Sequence, residues 1–215
     1  MALTVLVIDY GISNLFSVCR ALEYCGAKVI VSNDPKALLS ANRVVLPGVG
    51  AYSDGMKGLQ THNLDKAILE FFHMGKPLLG ICLGMQMLAS VSEEFGVHDG
   101  LNIIPGRVVA IPQENPQGIC HPVPHVGWAD LILGDNLSDW QETILDGISE
   151  GEAVYMTHSF AVQPNDETHR LANCMYNGVL ISAAIRNKNF YGVQFHPEKS
   201  GAVGLKILSN FLKLT

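Results

Sequence analysis

The apolar positions fall into two alternating textures. Near-continuous apolar runs at Thr4 to Ile8, Lys28 to Ser32, Arg43 to Leu46 and Pro77 to Ile81 predict buried strands. Between them, Leu15 to Cys25 (closed by Gly26), Pro35 to Leu39 and Leu59 to Met74 have helical spacing. Strands alternating with helices imply parallel βαβ units, so the chain reads as α/β, with an open, mostly parallel central sheet covered by helices on both faces. Ligands of such sheets bind beyond the carboxyl ends of the strands. The loops Asp9 to Asn14 and Pro47-Gly48-Val49-Gly50 lie at such ends, as does Cys82. From residue 96 the texture changes. Arg107 to Ile111, Glu152 to Thr157, Cys174 to Tyr176, Leu180 to Arg186 and Phe190 to Phe195 read as strands spaced by turns, which predicts a mixed or antiparallel second part. A proline-punctuated loop runs up to Trp128, and Gly201 to Leu214 closes the chain as a helix. No linker or internal repeat interrupts residues 1–215, so one domain is expected.

Composition narrows the function classes. With 215 residues, 48% of them hydrophobic and 16% charged, the chain can bury a sizeable core. A net charge of −6 without any Lys/Arg block argues against nucleic acid. The apolar N-terminal run is short and lacks a basic flank, and no apolar stretch is long enough for a bilayer, so neither export nor membrane insertion is expected. Five cysteines, at positions 19, 25, 82, 120 and 174, have neither disulfide nor zinc spacing, which suits a reducing cytoplasm. The Cys120-His121-Pro122-Val123-Pro124-His125 segment reads as a proline-rich loop rather than a metal site, and no metal or cofactor is called for.

One cysteine stands apart. Cys82 ends the run Pro77 to Ile81 and precedes Leu83, Met87, Leu88, Val91 and Phe95, whose spacing predicts a helix. Gly80 and Gly84 flank it as Gly-x-Cys-x-Gly, the cysteine form of a nucleophile elbow. A helix start offers free N–H groups and partial positive charge, both favourable to an anion. A nucleophile needs a base, and the base an orienter. Phe190 to Phe195 leads into His196-Pro197-Glu198, where residues i and i+2 of an extended chain share a face. Glu198 can then fix one imidazole nitrogen of His196 and leave the other for Cys82.

At these residues the chain resembles a known family. Gly80-Ile81-Cys82-Leu83-Gly84-Met85-Gln86 together with Gln194-Phe195-His196-Pro197-Glu198 is similar to the class I, triad-type glutamine amidotransferases, whose fold is flavodoxin-like. Asp9-Tyr10-Gly11, Asn14-Leu15, Pro47-Gly48-Val49-Gly50, Val126-Gly127-Trp128 and His158-Ser159-Phe160 resemble the glutaminase subunits of imidazole glycerol phosphate synthases. Phe160, Ala129 and Ser13 depart from that pattern, where a tyrosine, an asparagine and a glycine are expected.

Attack on an amide carbonyl builds a tetrahedral oxyanion, which needs N–H donors. Elbow geometry supplies the N–H of Leu83, and the resemblance implies that of Val49 as the second. The resemblance further implies that Gly50, Gln86, Glu94, His158, Ser159 and Phe160 bind glutamine. Gln86 lies one helical turn beyond Cys82, and Glu94 is expected at the end of the same helix. Cys82, His196 and Glu198 would then convert L-glutamine to L-glutamate and ammonia through a thioester. The chain has no nucleotide loop or phosphate cradle for an ammonia acceptor. The resemblance implies a (β/α)8-barrel cyclase partner, in a heterodimer, that forms imidazole glycerol phosphate and aminoimidazole carboxamide ribotide in histidine biosynthesis. Asn14 and Lys199 are the polar residues expected at that interface. The alternative is the same glutaminase feeding a sugar-amidating partner in surface-polysaccharide synthesis. A cysteine peptidase is a further rival, against which Gln86 and the Pro-Gly-Val-Gly loop argue.

Overall fold

The computed structural model describes residues 3–12, 14–135 and 137–215. Ser13 therefore lies outside the described residues. The first half follows the predicted alternation: β1 (Leu3–Ile8), α1 (Leu15–Tyr24), β2 (Ala27–Ser32), α2 (Pro35–Ser40), β3 (Val44–Gly48), α3 (Tyr52–Thr61), α4 (Leu64–His73) and β4 (Leu78–Cys82). Where the pattern predicts one helix from Leu59 to Met74, the chain builds two. Asn63 adopts a left-handed conformation (φ 55°) that breaks the helix, and α3 begins earlier, at Tyr52.

Beyond Cys82 the predicted long helix does not form. α5 (Leu83–Gln86) is a single turn, and β5 (Ala89–Ser92) follows at once. Val91 and Ser92 pair in parallel with Arg107 and Val108, so ladder bonds to a distant segment outweigh a helical spacing of apolar residues. Phe95 is consequently exposed instead of closing a helix face. The rest comprises β6 (His98–Asp99), β7 (Ile104–Ala110), β8 (His125–Asp130), β9 (Ile132–Leu133), β10 (Ala153–His158), β11 (Phe160–Pro164), β12 (Arg170–Tyr176), β13 (Val179–Asn187), β14 (Phe190–Val193) and α6 (Gly201–Lys213). Four of these, β6, β8, β9 and β11, fall where the sequence predicted no strand.

The main sheet has the order β2-β1-β3-β4-β14-β13-β12-β9. Pairings from β2 through β14 are parallel, and those from β14 through β9 are antiparallel. The sheet is thus parallel where βαβ units built it and antiparallel where hairpins extend it. Side chains in β1 alternate between two cores. Val5 and Val7 pack with Leu22, Leu208 and Phe211 of α1 and α6, whereas Leu6 and Ile8 pack with Leu38, Leu59 and Phe71 of the opposite helices. Burial on both faces explains why β1, β3 and β4 read as continuous apolar runs, whereas the edge strand β2 leaves Ile30 and Val31 exposed. Two small sheets, β11-β7-β5-β6 and β10-β8, accompany it. Among the described residues, no helix is long and apolar enough to cross a membrane.

The tightest passage is the β4–α5 turn. A Cβ added to Gly80 would come within 2.6 Å of the Gly84 carbonyl oxygen, and one added to Gly84 would overlap the Leu46 carbonyl of β3. Gly84→Ala should accordingly lower unfolding stability by about 3 kcal/mol or more. Urea denaturation monitored by circular dichroism reads this directly, and a loss below about 1 kcal/mol would show that the turn is less closely packed than described.

Candidate active site

Cys82 occupies the sharpest part of that turn. Its backbone sits at φ 54°, ψ −109°, outside the regions open to ordinary residues, at a cost of about 1–3 kcal/mol that the surrounding packing must offset. In return the side chain leaves the end of β4 toward a cleft of about 320 Å³, at the small end for ligand sites. Lining it are Val49 and Gly50, Cys82, Leu83 and Gln86, Glu94, the run Thr157 to Phe160, and His196. Every catalytic, oxyanion-hole and glutamine-binding residue expected from the sequence faces this one cleft except Glu198, which stands behind His196. Thr157 is an addition.

Strand order explains the convergence. β4 lies between β3 and β14, and Gly48 of β3 pairs with Cys82 itself. The Val49–Gly50 loop therefore emerges beside the elbow, with Gly50 at φ 96°, a conformation suited to glycine. On the other flank, β14 ends at Val193 and carries the chain to His196. The expected extended geometry around Pro197 gives way to a 3₁₀ turn, Pro197–Lys199. The pair forms nonetheless: His196 Nδ1 donates to Glu198 Oε1 at 2.8 Å, with both side chains almost fully buried. This fixes the tautomer and leaves Nε2 for Cys82. Three bonds hold the turn, two of them to β10. His196 N–H donates to the Tyr155 carbonyl (3.0 Å), Ser200 Oγ donates to the His196 carbonyl (2.7 Å), and Tyr155 N–H donates to Ser200 Oγ (3.0 Å).

Electrostatics favour a charged pair. Burial acts to lower the His196 pKa, but the Cys82 sulfur and the hydrogen-bonded Glu198 carboxylate outweigh it and raise it to about 9. His158 behaves oppositely. Its pKa falls to about 4, mainly through burial, with the Phe160 carbonyl opposing and His125 and His196 adding to the fall. It stays neutral, donating from Nδ1 to the Phe160 carbonyl (2.8 Å) and accepting at Nε2 from His125 Nδ1 (3.2 Å). His125, inside the supposed proline loop, is thus a buried strand residue stacked on Tyr176. Among the described residues no group of His, Cys, Asp or Glu side chains is arranged to hold a metal.

Glu94 is not at the end of the Cys82 helix but in the turn after β5, where Oε2 accepts from Tyr52 N–H at the start of α3 (2.6 Å). Gln86 is buried, its amide bonded to the Phe160 carbonyl and to Gln194 Oε1, each at 3.1 Å. The contact from Phe160 to Gln86 is through backbone, so it does not depend on a tyrosine hydroxyl. Asn14 is exposed at the start of α1 and makes no side-chain capping bond. Lys199 is exposed beside the His196 turn, its Nζ 5.9 Å from the Tyr155 ring centroid. Sequence reasoning missed Gln194, whose Nε2 lies 3.6 Å from Cys82 Sγ. Only its place two residues before His196 hinted at it.

A thiol at a strained turn, an adjacent imidazole oriented by a carboxylate, and free N–H groups at a helix start can together carry out acyl transfer through sulfur. Fold and site thus suit an enzyme that transfers an acyl group through a cysteine. The chain belongs to the class-I glutamine amidotransferase family, whose model matches residues 6–214. It is 49% identical to "Imidazole glycerol phosphate synthase subunit HisH 1" of Legionella pneumophila (strain Paris), over 98% of this chain and 99% of that one. It is 44% identical to the HisH subunit of Geobacillus sp. (strain WCH70), over 97% and 95%. In fold it is similar to PurLQS from Thermotoga maritima (TM-score 0.68, 21% identity, 99% and 98% covered). A glutamine amidotransferase from the same organism also matches (TM-score 0.64, 19% identity, 92% and 77% covered).

The raised His196 pKa has a consequence for stability. An imidazole whose folded pKa exceeds its unfolded value stabilises the fold below about pH 6.5, and that contribution is lost as pH rises toward about 9. The stability gap between the parent and His196→Gln should therefore be larger at pH 6 than at pH 9.5 in guanidinium titrations. A gap that stays constant or grows with pH would contradict the charged pair.

Proposed function

We propose that this chain hydrolyses L-glutamine to L-glutamate and ammonia on Cys82, and passes the ammonia to a cyclase that forms imidazole glycerol phosphate and aminoimidazole carboxamide ribotide. The observation that carries the reaction is the meeting of Cys82, on its strained turn, with the His196–Glu198 pair at one cleft. What carries the acceptor is the near-full-length identity to HisH subunits, which favours it over a sugar-amidating role.

The positions support the following steps. His196 Nε2 takes the Cys82 proton, and the sulfur attacks the side-chain amide carbon of glutamine. The oxyanion forms where the N–H of Leu83, first residue of α5, and that of Val49 can reach it. Collapse breaks the C–N bond, and imidazolium returns the proton so that ammonia leaves. Water, deprotonated by His196, then attacks the thioester carbonyl and expels the sulfur. Glu198 holds the imidazole ring throughout. Glutamine's α-ammonium needs acceptors, which the carboxylate of Glu94 and the side-chain oxygen of Gln86 provide. Gly50 and the segment His158-Ser159-Phe160 close the cleft around its backbone end.

The partner, a (β/α)8 barrel in our reading, docks at the mouth of the cleft. Exposed Val126 and Trp128 on β8 (55% and 59%) support this, with Tyr155 packed edge-on to Trp128 and Lys199 over Tyr155. Asn14 and exposed Phe16 extend the same expectation to α1. Contact there reaches His196 through Tyr155 and Ser200, which offers a route for the partner to control hydrolysis. The five unpaired cysteines suit a reducing cytoplasm.

One assay tests both parts: glutamine-dependent and ammonium-dependent product formation with a cyclase present. Cys82→Ala should cut the glutamine-dependent rate by at least about 10³-fold while ammonium still supports synthesis, whereas Asn14→Ala with Lys199→Ala should weaken only the partner's stimulation of hydrolysis. Near-parental glutamine turnover in Cys82→Ala would overturn the nucleophile. Full hydrolysis by the isolated chain, indifferent to any cyclase, would overturn the coupling.

A further inference from the structure

We propose that Gln194 is a catalytic residue of this reaction, donating a side-chain N–H hydrogen bond to the Cys82 sulfur, and that a buried chain starting at the Phe160 carbonyl forces it to act as donor. The inference rests on the reading of Cys82 as the nucleophile. Gln194 is fully buried on the stretch after β14, its backbone N–H bonded to the Ala183 carbonyl (2.9 Å), and its Nε2 stands 3.6 Å from Cys82 Sγ.

An amide can present either a donor or an acceptor to a sulfur, and its neighbours decide which. The Phe160 carbonyl can only accept. It accepts from His158 Nδ1 and from Gln86 Nε2, which uses both its lone pairs. Gln86 must therefore turn its NH₂ toward Phe160, and the second hydrogen of that group points at Gln194 Oε1, 3.1 Å away. With its oxygen so engaged, Gln194 has only its NH₂ left for the sulfur. His158 secures the origin of the chain: held neutral by burial, it donates from Nδ1 and accepts from His125 on the far side.

The chemistry gains at two points. A buried thiolate needs hydrogen-bond donors in place of the water it has lost. His196 supplies one from the imidazole side, and Gln194 supplies a second that carries no proton to transfer and no charge to neutralise. When water attacks the thioester, sulfur leaves with the bonding electron pair, and the same N–H stabilises it as it goes. Gln86 thereby serves twice, since its NH₂ orients Gln194 while its oxygen remains for glutamine.

The test reads sulfur ionisation without needing turnover. Alkylation of the Cys82 peptide by iodoacetamide, followed by mass spectrometry on the full chain, is measured at pH 6 and pH 9. In Gln194→Met, an apolar residue of similar length, the pH 6 to pH 9 rate ratio should fall about fivefold or more. In Gln194→Glu, which folds if the buried site requires a polar group, it should fall further, because the carboxylate opposes the thiolate. Gln86→Met, which frees Gln194 to rotate, should give a smaller fall in the same direction. A merely structural role would slow alkylation equally at both pH values. An unchanged ratio in both Gln194 variants, or an equal slowing at both pH values, would overturn the proposal. Glutamine hydrolysis by Cys82→Ser is measured alongside: its loss together with an unchanged ratio would refute Gln194 alone, and its persistence would refute the nucleophile while the ratio still decides the contact.

Discussion

The structure depends on one backbone constraint: a cysteine held at positive φ where a parallel strand becomes a helix. Cys82 bears that strain because its neighbours leave it no other course. Gly84 packs so closely on Leu46 that no side chain fits, Gly80 abuts the next turn, and Gly48 of β3 runs directly alongside. The rigid sheet thereby fixes where the sulfur stands, and the strain is met by burial elsewhere. Relaxing the turn would move the sulfur relative to His196 and to the N–H groups at the start of α5 together.

The other polar groups reach that sulfur because the sheet delivers them to one edge. β3, β4 and β14 are adjacent and parallel, so their C-terminal ends open on the same side. One brings the Val49–Gly50 loop, one the thiol, one Gln194 and His196. The β10–β11 corner closes the cleft opposite with His158, Ser159 and Phe160. Its hydrogen bonds run both ways: Tyr155 holds the His196 turn, and the Phe160 carbonyl sets the amides behind Cys82. The exposed Val126 and Trp128 lie on the strand paired to β10, so an exposed apolar surface and the interior beside the site are two faces of one small sheet.

What the sequence disclosed was local. The elbow and the His-Pro-Glu turn were legible because each works within five residues, and the apolar runs of β1, β3 and β4 because burial on both faces removes polar positions. What it hid was decided at a distance. The spacing after Cys82 suggests a long helix, yet the pairing of β5 with β7 ends it after one turn and leaves Glu94 in a loop, where its carboxylate accepts from the first N–H of α3. β8 was obscured by prolines, although its partner β10 was plain. The break at Asn63 turned on a single left-handed residue. Gln194 could not be read as a sulfur ligand, because that contact exists only once β14 lies beside β4 and α5 lays Gln86 against it.

In this reading Cys82 alone, among the five cysteines, carries the acyl group in glutamine hydrolysis. The direct measurement is acid quenching of the chain during glutamine turnover with a cyclase present, followed by mapping of the peptides by mass spectrometry. A glutamyl adduct on the Cys82 peptide, absent from those of Cys19, Cys25, Cys120 and Cys174 and lost on mild base treatment, is the predicted result. An adduct on a different residue, or sustained turnover with no adduct on the Cys82 peptide, would contradict it.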